Sequence, residues 1–173
     1  MNENSIPPAV LALAGLAVEY CRTAEGAAGA ESRDFCAAML RYLPRIYITA
    51  FDLRPYDNDS SGADNGAISD YLEEPQYDSL REIVAATLGE HEMYLDASME
   101  DMQYSDTPVA VSLAEQLADI YQEMFNFAST VREASPETLA EVLADFKWRF
   151  DSYLSATICS ALRATNTIYQ NEL

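Results

Sequence analysis

Between residues 113 and 131 the apolar side chains recur at intervals of four, three, four, three and four: Leu113, Leu117, Ile120, Met124, Phe127 and Val131. That is the period of an α-helix with one apolar stripe, and a stripe of this length must be covered by another element. A second stripe follows at once. Leu139, Leu143, Phe146, Phe150, Tyr153, Thr157, Ala161 and Ile168 share one face of a helical pattern. About thirty helical residues span roughly 45 Å, more than a small bundle is tall. This helix is therefore expected to kink, or to project at its C-terminal end. Thr107-Pro108 and Ser135-Pro136 read as N-cap and first-turn pairs that start the two helices.

Three further helical segments precede these. The first covers about 8–25, with Pro7 and Pro8 at its start. The second starts near Ser32 as N-cap, with Asp34 in its first turn, and Phe35, Met39, Tyr42, Leu43, Ile46 and Ile48 give it a wide apolar surface. Pro44 lies inside that pattern and predicts a bend or a boundary between two pieces. The third covers about 76–93, with Leu80, Val84 and Leu88 at helical spacing. An acidic loop at about 52–75 separates the second and third helices, and the polar run DASMEDMQYSD separates the third and fourth. No period-two alternation is sustained anywhere. The expectation is one all-α domain over 1–173, an antiparallel helical bundle of four to five main helices.

Charge bounds the partners. The chain carries 29 acidic residues against 10 basic ones, a net charge of −19. Such a surface repels phosphate backbones, which argues against nucleic acid and anionic membranes. A basic protein surface is the partner that fits; no cofactor is expected, and the oligomeric state is left open. The apolar run AVLALAGLAV has no basic residues ahead of it and is too short to span a bilayer. A cytoplasmic protein is expected. Cys21, Cys36 and Cys159 form no CxxC pair, so they are expected to be reduced and buried.

DNDSSGADNG, 57–66, resembles the opening of a calcium-binding loop, with Asp57, Asp59, Ser61, Gly62 and Asn65 at its first, third, fifth, sixth and ninth positions. The twelfth position, where a bidentate Glu belongs, is Ile68, and Asp64 stands where an apolar residue is wanted. Asp70 falls two residues too late. Asp57, Asp59, Asp64 and Asp70 remain weak cation ligands at most, in what is otherwise a solvated loop. The lone histidine, His91, has no second imidazole for a zinc site and no Glu three residues before it. A helix-end surface residue is expected there.

Glu115, Asp119 and Glu123 stand four apart, Glu115 and Asp119 opposite the apolar stripe and Glu123 at its margin. They form either a solvated face or a contact for a basic partner. Trp148 points roughly 160–200° away from the core face at 100° per residue. It is either covered by another helix or exposed, between Lys147 and Arg149, as an interface anchor. Arg149 has the reach to meet the acid of the fourth helix. A polar pocket between helices built from Asp119, Tyr121, Trp148 and Arg149 is the alternative site.

The stretch SLAEQLADIY with Ser112, Leu113, Ala114, Leu117, Ala118, Asp119, Ile120 and Tyr121, then Trp148, Arg149 and Phe150, then Ala161, Leu162, Arg163 and Ala164, resembles DUF5063, a bacterial all-helical family of unknown function. The resemblance implies a helical fold over most of the chain and carries no activity. A His-Trp-Gly of many relatives falls near Ser152, Tyr153 and Leu154 here, and their final His near Asn166. Any chemistry those histidines serve would be lost in this chain. The functional expectation is a soluble acidic interaction or accessory protein that is not an enzyme. The alternatives are a small-ligand binder or enzyme with a polar pocket, and a weak carboxylate-based cation binder.

Overall fold

The computed structural model describes residues 6–53, 66–96 and 109–171. Helices α1 (Pro8–Glu25), α2 (Ser32–Asp52), α3 (Glu74–Leu88) and α4 (Leu113–Glu133) form the first four main elements. The fifth is one continuous rod: α5 (Pro136–Arg149), a π-helical turn (Phe150–Leu154) and α6 (Ser155–Asn171). A 3₁₀ turn (Gly89–His91) and a two-stranded ribbon, β1 (Met93–Asp96) with β2 (Val109–Ser112), link α3 to α4. The fold is an all-α bundle of five main helices around one hydrophobic core.

Helix α4 is the centre of it, packing on α1, α3, α5 and α6. Its stripe accounts for one buried face, and Ala114, Ala118 and Tyr121 bury a second. Small residues there let α1 approach closely, and the fully buried Tyr20 hydroxyl donates to the Leu117 carbonyl at 2.8 Å. Helix α2 closes the other side of the rod by packing on α6.

Four local expectations change. Thr107 and Pro108 lie outside the described residues, but Val109–Ser112 is a strand, so α4 starts only at Leu113. The strands pair antiparallel, Met93 opposite Ser112 and Asp96 opposite Val109. Four residues are too few to display alternation, and the β-branched Val109 and Val111 favour the extended form. Ser112 ends the strand and caps the helix, its Oγ accepting the Glu115 N–H at 3.0 Å. Helix α3 stops at Leu88, not near 93, because Gly89 takes φ +57°, where side-chain-bearing residues are strained. Helix α2 runs through Pro44 as one element, with Glu31 rather than Ser32 at its N-cap. Cys21 and Cys36 are buried as expected, whereas Cys159 is exposed on α6.

The π turn accounts for a further correction. Counting 3.6 residues per turn puts Tyr153 and Thr157 on the core face. The wider turn inserts one residue and advances the stripe, so Leu154 and Ile158 are buried instead, and Tyr153 is 39% exposed.

The C-terminal end of the acidic loop is not free. Backbone N–H groups of Ile68, Ser69, Tyr71 and Leu72 donate to side chains: to Asp145 Oδ2 at 2.8 Å, Thr130 Oγ1 at 3.2 Å, and Asn126 Oδ1 at 2.9 and 3.0 Å. Asn126, Thr130 and Asp145 are buried polar residues of α4 and α5 that replace a helix or sheet partner for this irregular strap. Ile68, at the failed twelfth calcium position, is 3% exposed and part of the core.

Candidate functional site: a polar seam and an apolar groove

The seam lies where α4 meets the rod. At the end of α5, the Arg149 Nε donates to Asp145 Oδ1 at 3.2 Å, and its Nη1 lies 3.5 Å from Glu123 Oε2 on α4. Asp145 is fully buried and Glu123 nearly so. The π turn brings Tyr153 over the same carboxylate, its hydroxyl donating to Glu123 Oε1 at 2.5 Å. Arg149 thus reaches the acid of the fourth helix, as its position suggested. Its guanidinium faces two carboxylates, one on its own helix and one on α4.

A second cluster ties the ribbon to α4 and α6. Buried Asp96, at the end of β1, accepts from Arg163 Nη2 at 2.6 Å and from the Ser160 hydroxyl. The Tyr94 hydroxyl lies 2.8 Å from both Ser160 Oγ and Gln116 Oε1, and its single proton serves one of them at a time. Arg163 is a residue of the third sequence motif, and its use is structural: it sets a positive charge beside a buried carboxylate.

Tyrosine takes over a task that a chain short of cations leaves open. Tyr77 donates to Asp119 at 2.6 Å, Tyr121 to Glu25 at 2.7 Å, and Tyr71 to Glu133 at 2.6 Å, beside the Tyr153–Glu123 pair. Burial and the carboxylate bond push the Tyr77, Tyr121 and Tyr153 hydroxyls well above the ordinary tyrosine value. Partial burial also raises the Asp119 carboxyl, against the Tyr77 bond, which lowers it.

Above about pH 10 the unfolded chain loses phenolic protons that the folded chain keeps. The stability these pairs provide is complete below that pH and falls as pH rises through the folded values. Far-ultraviolet dichroism should therefore fall together with the last part of the rise in phenolate absorbance, the part that these paired tyrosines contribute. Separate titration of these tyrosines near pH 10 in a still-folded protein would refute the pairing.

The proposed pocket residues do not converge through their bonds. Asp119 is held by α3, Tyr121 by α1, and Arg149 within the rod and against α4. Trp148 is half-buried, between the two readings of it, and Glu115 is exposed at the start of α4. Asp57, Asp59 and Asp64 lie outside the described residues, and Asp70 is exposed on the strap. Among the described residues no group of three or more His, Cys, Asp or Glu is placed to hold a metal. His91 sits half-buried in the 3₁₀ turn. No helix among the described residues is long and apolar enough to cross a membrane.

The feature that helical counting passed over is a groove of about 640 Å³ between α1 and α4. Leu11, Ala14 and Val18 line one wall at helical spacing, and Phe125 and Ala128 the other. Leu11 is 54% and Val18 46% exposed, and with Ala14 and the opposite wall they make one contiguous apolar strip. The signal was present: α1 is apolar nearly all round, more than a single core-facing stripe requires.

A family model for the domain of unknown function DUF5063 matches residues 4–171. The chain belongs to this family. No curated protein matches it. Among solved structures, protein BF1032 from Bacteroides fragilis is similar over 95% of this chain and 97% of its own, with a TM-score of 0.76 and 22% identity. That likeness shows a shared fold and nothing more. The matched motif residues have structural tasks here: Ser112 caps α4, Asp119 and Tyr121 tie α4 to α3 and α1, and Arg149 and Arg163 neutralise buried acids.

Proposed function

We propose that this DUF5063 protein is a soluble, acidic helical interaction or accessory protein, not a catalyst. The observation that supports it is the α1–α4 groove, where a row of half-exposed aliphatic side chains lies beside a second apolar wall. Surface aliphatics gathered in one concave strip favour a docked helix over a solvated face. The polar side chains described above are bonded to one another across elements, and that bonding gives them a structural task.

The test is comparative capture from a native extract with the wild-type chain and with Leu11→Glu/Val18→Glu. Both positions are exposed, so each substitution should change folding stability by no more than about 0.5 kcal/mol. A protein retained by the first bait and lost by the second supports the reading. Identical capture profiles from two equally folded baits would remove the groove from it.

A further inference from the structure

The net charge of −19 is unevenly spread. Three stretches hold none of the 29 acidic residues: 7–18, 35–51 and 152–171. They belong to α1, to α2, and to the π turn with α6, and α2 packs on both α1 and α6. The rod runs antiparallel to α2, with Tyr169 under Arg33 at one end and Phe150 against Tyr47 at the other. The short connection 26–31 reverses α1 into α2, which sets the acid-free part of α1 beside Arg41 and Arg45. Folding thus gathers the three stretches on one side of the bundle.

On the outer face of α2, Arg41, Arg45 and Ile48 fall within about 60° of one another, and Phe51 stands beside them. All four are exposed, Ile48 by 60% and Phe51 by 62%. Among the described residues neither arginine has a hydrogen bond or an ion pair. Arg22, Arg81, Arg132, Lys147, Arg149 and Arg163 all face carboxylates, and Arg33 lies over the Tyr169 ring. Asp34 and Asp52 bound the stretch, each seven residues from the nearer arginine, about 10 Å along the helix. Asp151 is held by Lys147 at 2.7 Å, and Glu19 lies 3.7 Å from Arg22.

Exposed arginine and aromatic side chains on ground cleared of Asp and Glu are the composition of a protein interface. Two guanidinium groups one helical turn apart match two carboxylates at the same spacing. We infer that the α2 face from Arg41 to Phe51 docks an acidic amphipathic helix of a partner protein. Two of its carboxylates, one turn apart, meet Arg41 and Arg45, and its apolar side chains cover Ile48 and Phe51. The acid elsewhere on this chain does not forbid it, because charges more than about 8 Å away are largely screened at physiological ionic strength. This face is separate from the α1–α4 groove, and neither docking requires the other.

The experiment uses three synthetic helical peptides of about sixteen residues. They share leucines on two successive turns and carry glutamate, glutamine or lysine at one pair of i, i+4 positions on the same face. Binding to the full chain is followed by fluorescence anisotropy at physiological salt. The glutamate peptide should bind about fivefold more tightly than the glutamine peptide, with lysine weakest. Arg41→Gln/Arg45→Gln should remove the difference between glutamate and glutamine, and Arg41→Glu/Arg45→Glu should place lysine first. Ile48→Ser/Phe51→Ser should weaken all three, with Ile48→Ser alone as the variant should the pair not fold. Leu11→Glu/Val18→Glu should change none of them.

Equal binding of the glutamate and glutamine peptides, or preference for lysine, overturns the acidic occupant. Binding unchanged in Arg41→Gln/Arg45→Gln overturns the site, and binding lost in Leu11→Glu/Val18→Glu transfers it to the groove. Absence of binding overturns the inference as well. If that absence comes with a dimer in sedimentation that Ile48→Ser dissociates, a second copy is the occupant of the face.

Discussion

Arg149→Met lowers the stability of this protein by about 3–5 kcal/mol, measured as the shift in free energy of urea unfolding. Methionine fills much of the volume, so the loss comes from charge. Asp145 is 0% exposed and Glu123 is 8% exposed, and both face the same guanidinium. Removing it leaves two buried carboxylates close together with no cation between them. Asp145→Asn with Glu123→Gln in the same chain should return most of the loss, because the amides keep acceptors for Ile68 and Tyr153 without the charge. A single Arg149→Met variant within 1 kcal/mol of wild type would show that water reaches these acids. Failure of the triple variant to recover would assign the loss to packing.

Asn126→Leu costs about 2–4 kcal/mol by a different route. Its Oδ1 is the acceptor for two consecutive strap N–H groups, Tyr71 and Leu72, and the residue is itself fully buried. Leucine matches its size and supplies no acceptor, so two backbone donors lose their partner at once. The neighbouring Thr130→Val, which removes the acceptor of only Ser69, should cost less than half as much. Amide exchange adds a local readout: in Asn126→Leu the amides of 68–72 should exchange faster than the α4 core. Unchanged protection there would mean that the strap is held by Ile68 and Leu72 packing alone.

The architecture was readable in the sequence where burial acts through a long, regular period. The alternation of threes and fours in α4 specified the central helix, and the acid-rich loop was placed between the right two helices. What was not readable depends on short range or on partners far along the chain. Val109–Ser112 is too brief to show a period of two, and its pairing with Met93–Asp96 is decided by contacts that no local pattern carries.

The candidate site divides in the same way. Arg149 could be pointed at α4 from its position, and it does meet Glu123. Asp145, on the same helix as Arg149, drew no notice because a lone Asp in an apolar stretch reads as a surface charge until Ile68 arrives from far away in sequence to use it. The groove went unnoticed for the converse reason. Leu11 and Val18 look like core residues in sequence, and only the packing of the described residues reveals that they stay about half exposed.

The π turn Phe150–Leu154 also has a meaning in the language of insertions and deletions. It is what a helix shows when one residue too many is absorbed without breaking the rod. Deleting Ser152 would remove the surplus residue and let the segment return to ordinary α geometry with everything after it still in phase. Leu154, Ile158 and Ala161 would keep their places in the interface, and Arg163 its reach to Asp96. A deletion in this turn should therefore be tolerated far better than one elsewhere in α5 or α6, where each lost residue turns the rest of the rod by about 100°.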